Sequence, residues 1–120
     1  MGVLFEARLP FPPSINVLFG GGSGQKRFPS KKYKAWLKIC PKLKPIGINH
    51  PISIKYIYTW PDKRIRDGQN YLKACTDFLV KQGVIVDDNY NIIVSESWCY
   101  LDVDKHNAHV YIIISDESNV

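Results

Sequence analysis

The stretch Ile52-Ser53-Ile54-Lys55-Tyr56-Ile57-Tyr58-Thr59-Trp60, then Pro61-Asp62-Lys63-Arg64-Ile65-Arg66-Asp67, then Gly68-Gln69-Asn70-Tyr71-Leu72-Lys73-Ala74-Cys75-Thr76-Asp77-Phe78-Leu79, decides the fold. In its first part Ile52, Ile54, Tyr56 and Tyr58 alternate with Ser53, Lys55, Ile57 and Thr59. A period of two in β-branched and aromatic residues is the signature of a strand. In its last part the period changes to that of a helix over about 69–82. Tyr71, Leu72, Cys75, Phe78 and Leu79 share the buried side, and Gly83 supplies the C-terminal stop. Asn70, Lys73, Asp77 and Lys81 share the opposite face. Asp67 stands where an N-cap belongs. A strand, a short basic turn and an amphipathic helix thus follow one another without a spare residue.

Upstream, Val3, Phe5, Ala7 and Leu9 alternate with Leu4, Glu6 and Arg8, a half-buried strand that Pro10-Phe11-Pro12-Pro13-Ser14 brings to an end. Gly20-Gly21-Gly22-Ser23-Gly24 and Gln25-Lys26-Arg27 read as a mobile linker or a DNA-contacting flap. They are not a P-loop, because the Gly-Lys-Ser/Thr ending is missing. Ser30 caps an expected helix over 31–39, with Tyr33, Trp36 and Leu37 on the apolar face and Pro41 and Pro45 beyond its end. Downstream, Val84-Ile85-Val86 runs into Asp87-Asp88-Asn89, followed by strands over about 92–101 and 108–115 that 102–107 joins as a hairpin. The order is β-α-β-α-β-β. The expectation is α+β: one domain over 1–120, with a mixed four-stranded sheet and two main helices.

A length of 120 residues suits a single domain, which typically needs roughly 100–200. Hydrophobic residues make up 45% of the chain, enough for a real core, and this excludes wholesale disorder. No apolar run reaches the ~20 residues that span a bilayer, and the start lacks the pattern of a signal peptide. Three cysteines cannot all pair within one chain, and no C-x-x-C occurs. Free thiols, an intracellular location and no membrane partner are expected.

Sixteen basic residues stand against eleven acidic ones, and their distribution is uneven. Residues 1–60 hold ten Lys/Arg against the lone Glu6, whereas residues 61–120 hold six against ten acids. One half therefore offers a surface for a polyanion and the other a set of carboxylates, although basic charge also serves plain solubility. The densest basic stretches contain Lys31, Lys32, Lys34 and Lys38 in one, and Lys63, Arg64 and Arg66 in the other; these are the candidate phosphate contacts.

Three places hold carboxylates close to basic residues: Asp62 and Asp67 around the basic turn, Asp87-Asp88 beyond the second helix, and Asp102 and Asp104 in the connection between the last strands. Carboxylates from separate turns suit Mg²⁺, a hard cation that retains several waters. Bound metal activates water and neutralises charge on a scissile phosphate, and Lys73 lies close enough in sequence to serve that phosphate. Each residue also has an ordinary role: Asp67 as an N-cap, Asp87-Asp88-Asn89 as a turn, Lys73 and Lys81 as solvated helix charges. His106-x-x-His109 lacks a third ligand and reads as loop and strand edge. Cys75 and Cys99 read as core.

Three segments, in order, resemble the RusA-type Holliday junction resolvases of bacteria and their prophages. Leu9-Pro10-Phe11-Pro12-Pro13-Ser14-Ile15-Asn16 is similar to the family's Pro-aromatic-Pro-Pro-Ser-x-Asn opening. Trp60 to Ala74 is similar to its basic run followed by Asp-x-Asp-Asn-x-x-Lys, and Gly83-Val84-Ile85-Val86-Asp87-Asp88 to its Gly-apolar and Asp-Asp pattern. The resemblance covers nearly the whole chain. It implies a homodimeric, Mg²⁺-dependent endodeoxyribonuclease, with Mn²⁺ as a substitute, that nicks four-way DNA junctions in recombination and repair in the bacterial cytoplasm, at the nucleoid. It also implies that Asp67 and Asp88 are metal ligands with Asp87 beside them, and that Lys73 is catalytic. Gln69 stands where the family has its second aspartate. An amide keeps the carbonyl oxygen but lacks the negative charge, so metal affinity should fall. The alternatives are a catalytically weakened or inactive branched-DNA-binding protein of the same fold, or a general basic nucleic-acid binder.

Overall fold

A strand with bulky apolar residues on one face and short or polar ones on the other belongs inside a sheet that helices cover on one side. The computed structural model describes residues 2–21 and 27–118. The central part of the Gly-rich segment, 22–26, lies outside the described residues. The chain runs β1 (Val3–Pro10), β2 (Phe19–Gly20), β3 (Phe28–Pro29), α1 (Lys31–Ile39), β4 (Ile52–Trp60), α2 (Leu72–Lys81), β5 (Ile93–Val103) and β6 (His109–Asp116). This is the expected α+β arrangement. Four strands form a mixed sheet in the order β1-β6-β4-β5, with β4 antiparallel to β6 and parallel to β5. A parallel pair needs a long crossover, and α2 lies within the one that joins β4 to β5.

On β4, Ile52, Ile54, Tyr56, Tyr58 and Trp60 are all buried, joined by Val110, Ile112 and Ile114 of β6 and Leu9 of β1. From the helices come Tyr33 and Trp36, then Leu72, Cys75, Phe78 and Leu79. Trp36 and Phe78 meet edge to face at 5.6 Å, which locks the helices to each other. The Trp36 indole N–H donates to the Pro10 carbonyl at 2.9 Å, so a buried polar group finds a partner and α1 is tied to the end of β1. Gly83 closes α2 at φ +77°, a left-handed conformation that a side chain would strain. The three cysteines are free, Cys75 buried and Cys99 only half-buried. Among the described residues, no helix is long and apolar enough to cross a membrane.

Three details differ from the sequence expectation. The segment 102–107 is not a hairpin turn, because β5 and β6 lie on opposite sides of β4 and the chain steps across the end of that strand. The physical reason lies in composition: β6 carries three fully buried aliphatics and gains most inside the sheet, while the mainly exposed β5 suits an edge. The helix expected from residue 69 starts at Leu72, after a 3₁₀ turn over Gly68–Tyr71. The segment 15–29 is not all linker: Ile15–Val17 makes a 3₁₀ turn, and β2 pairs with β3.

Candidate nucleic-acid and metal site

The turn between β4 and α2 is fixed from beneath. The Tyr58 hydroxyl donates to the Gly68 carbonyl at 2.8 Å, and burial pushes this phenol far above its usual range. The Trp98 ring lies so close over Gly68 that an added Cβ would stand 2.4 Å from it. Only glycine fits between the turn and that ring. The Asp67 carboxylate accepts from the Gln69 backbone N–H at 3.1 Å, the N-cap role read from the sequence, here capping the 3₁₀ turn.

The basic side of the turn is held as firmly. Asp62 accepts from the Arg66 guanidinium at 2.8 Å and from the Arg64 backbone N–H at 2.9 Å. These two contacts, Arg66 first, hold the Asp62 carboxyl well below the usual carboxylate range. The Arg66 side chain is only 7% exposed and lies 5.6 Å from the Phe11 ring centre and 5.7 Å from that of Trp60. Arg66 is thus committed internally. Arg64 meets Asp62 at 3.5 Å with its side chain 76% exposed, and Lys63 is also exposed.

Two clefts adjoin at Asn70. The first, of about 410 Å³, lies between the Phe11–Ser14 segment and the Arg64–Asp67 turn, with Lys32 of α1 on its wall. The second, of about 310 Å³, is lined by Gln69, Lys73 and Thr76 of the turn and helix, and by Asp88 and Glu96. Of the residues singled out in the sequence, Asp67, Arg64, Arg66 and Lys32 meet at the first cleft, while Gln69, Lys73 and Asp88 meet at the second. Lys31, Lys34 and Lys38 are exposed on α1 and line neither. Asp87 lines neither as well. Its carboxylate accepts from the Asp88 backbone N–H at 2.7 Å and the Asn89 side chain at 2.9 Å, which lowers its pKa and makes it the turn former. The Lys73 ammonium lies 3.1 Å from Asp77, a helix-face pair four residues apart.

Glu96 escaped the sequence reading. One of its carboxylate oxygens accepts from the Tyr56 hydroxyl at 2.7 Å and lies 3.2 Å from the Thr76 hydroxyl. Tyr56 is deeply buried, and desolvation, then the Glu96 charge, push its pKa well up. The signal was the parity of β5: Glu96 pairs with Ile54 and so shares the helix-facing side with Trp98 and Tyr100. A glutamate at such a position needs polar partners.

Among the described residues, no three His, Cys, Asp or Glu side chains converge on one point that could hold an ion. The oxygen donors on the cleft walls are Asp88, Glu96 and the Gln69 amide in the second, with Asp67 on the wall of the first, and an ion there would need water for most of its coordination shell. No protein-family model matches this sequence, and no curated protein matches it.

Proposed function

We propose that the protein is a RusA-like, structure-selective endodeoxyribonuclease that acts as a homodimer on four-way DNA junctions with Mg²⁺. One observation supports this reading: two clefts adjoin at Asn70, one lined by Asp67 with Lys32 and Arg64, the other by Gln69, Lys73 and Asp88. Cations beside carboxylates suit a polyanion approached through a divalent ion. Such an ion, when bound, supplies an activated water and neutralises charge on the phosphate. The chain's own contribution is placement. Asp88 and Gln69 offer oxygens to one cleft, Lys73 on the same wall has a charge for the scissile phosphate once Asp77 releases it, and Lys32 and Arg64 at the adjoining cleft hold the flanking backbone. Two-fold symmetry would present two such sites to the two strands cut in a resolved junction. Such an enzyme works on chromosomal DNA in the bacterial cytoplasm, at the nucleoid.

A second reading is favoured by two observations, the amide at Gln69 and the Lys73–Asp77 pair. It is a branched-DNA-binding protein of the same fold with weak or no nicking. Incubation of the protein with a labelled synthetic four-way junction, with Mg²⁺, with Mn²⁺ and with neither, separates the two. Paired nicks that need the cation support the nuclease; tight junction binding without nicks supports the binder. Equal affinity for linear duplex at matched salt would contradict both and leave a general basic nucleic-acid binder.

A further inference from the structure

Behind the basic turn lies a feature that the proposed chemistry does not use. Tyr58 and Trp60 stack at 4.6 Å with their planes 14° apart, and Trp60 and Tyr100 lie 6.4 Å apart at 21°. Tyr58 is fully buried and Trp60 nearly so, but Tyr100 is 56% exposed. A file of near-parallel aromatic rings thus starts in the core and surfaces at the edge strand β5. It surfaces beside a third cleft, of about 260 Å³, whose rim is Lys63, Arg64 and Ile65. Ile65 is 99% exposed and stands between cations. An isolated aliphatic in full contact with water, flanked by Arg64 and Arg66, gains nothing for the fold. In the same loop Asp62 pairs with Arg66 and, more loosely, with the largely exposed Arg64, so a net positive charge faces outward through Lys63 and Arg64.

Resting on the DNA-binding reading above, we propose that this cleft is a stacking site for one unpaired nucleobase of DNA. Tyr100 is its floor, Lys63 and Arg64 take the adjoining phosphates, and Ile65 wedges against the neighbouring base step. Each part has a chemical reason. A base offers an apolar face that gains from stacking on an exposed aromatic and on the ring behind it, whatever its sequence. The phosphate beside an extruded base needs cations within reach, which Lys63 and Arg64 provide. Apolar side chains wedge between steps that are partly unstacked, and a branch point presents such steps without the full cost of opening a duplex. The site would give preference for branched or single-stranded DNA over duplex through Tyr100 and Lys63, on the far side of a basic turn whose Arg64 and Ile65 it shares with the first cleft.

The test uses two probes, an eight-residue oligothymidylate and a four-way junction with 2-aminopurine at the branch point. Both are titrated into the parental protein and into Tyr100→Ala, Tyr100→Phe and Ile65→Ala. Tyr100→Ala should weaken oligothymidylate binding about tenfold, while Tyr100→Phe keeps it, because stacking needs the ring and not the hydroxyl. Ile65→Ala should reduce the 2-aminopurine fluorescence change on the junction while leaving the salt slope unaltered. Circular dichroism and thermal melting establish that each variant is folded. Absence of oligothymidylate binding, or binding that Tyr100→Ala leaves at the parental level, overturns the stacking site even if the junction is bound and nicked. Tyr100-dependent oligothymidylate binding without junction recognition keeps the stacking site and overturns the proposed function instead.

Discussion

The two clefts that meet at Asn70 differ in how their charges are held. Around the first, the charged groups are largely committed to one another or to the backbone: Asp62 holds Arg66, and Asp67 caps the Gln69 N–H. Around the second, Lys73 pairs with Asp77 and Glu96 is tethered by one oxygen to the buried Tyr56 and Thr76, but Asp88 and Gln69 are exposed. A pre-organised basic rim suits recognition, since its geometry costs little to adopt when a phosphate arrives. Oxygens that are not spent on the fold suit an ion that keeps several waters. On the proposed reading the first cleft would do more of the binding and the second more of the cutting, with Asp67, which caps the turn, at their border.

The largest expected effect breaks the second cleft alone. Asp88→Asn should lower junction nicking by about 100-fold or more with affinity unchanged or higher, since a negative charge near DNA is removed. Rate and binding measured on one labelled junction check this, and a parental rate would remove Asp88 from the chemistry. Gln69→Asp sharpens the same comparison in the opposite sense. It should raise the nicking rate and shift the Mg²⁺ titration to lower concentration, because a carboxylate replaces a neutral oxygen. A rate and titration equal to the parent's would mean that position 69 does not face the ion.

The next effect bears on the turn that joins the clefts. Gly68→Ala drives a methyl group into the Trp98 ring and should cost about 1–3 kcal/mol of stability by overpacking, with loss of nicking as Asp67 moves. Denaturant unfolding beside the nicking assay checks it.

The smallest effects belong to the rim. Replacing Lys31, Lys32 and Lys34 with alanine should weaken junction binding and lower the slope of log affinity against log salt by about 0.9 for each phosphate no longer neutralised. Since only Lys32 of these lines the first cleft, a fall matching one phosphate would assign the interface to the cleft, and a fall matching three would extend it along α1. Asp62→Asn releases Arg66, and its pH dependence has a fixed sign. The folded state lowers the Asp62 pKa, so the pair contributes fully above the ordinary aspartate value of about 3.9. That contribution fades as the pH falls below it. The stability gap between parent and Asp62→Asn should therefore stay level from neutrality to about pH 4 and close on further acidification, as melts across that range would show.

The sequence revealed most where side-chain period and chain punctuation agree. Ser30 and Cys40-Pro41 bracket α1, and Pro51 and Pro61 bracket β4, so these two elements have the bounds that the pattern implies. It misplaced the last two strands as neighbours, because period two and a short connection read as a hairpin, whereas β4 comes between them. The start of α2 was misplaced because Tyr58 and Trp98, distant in sequence, pin Gly68 and tighten the turn. Of the candidate site, the carboxylates and cations were legible as residue types near turns. Their division between two clefts, the commitment of Arg66 to Asp62 and the placement of Glu96 were not, since all three depend on contacts across the sheet and its loops.

The most direct measurement takes parental protein, Asp67→Asn and the Lys31/Lys32/Lys34→Ala variant on one labelled four-way junction, recording affinity without metal and single-turnover nicking at saturating protein with Mg²⁺. The account predicts that Asp67→Asn binds at least as well as the parent and does not nick, while the lysine variant binds weakly yet nicks close to the parental rate once saturated. Nicking by Asp67→Asn at the parental rate, or equal loss of both activities in both variants, would contradict a separation of phosphate recognition by the lysines from chemistry at the carboxylates.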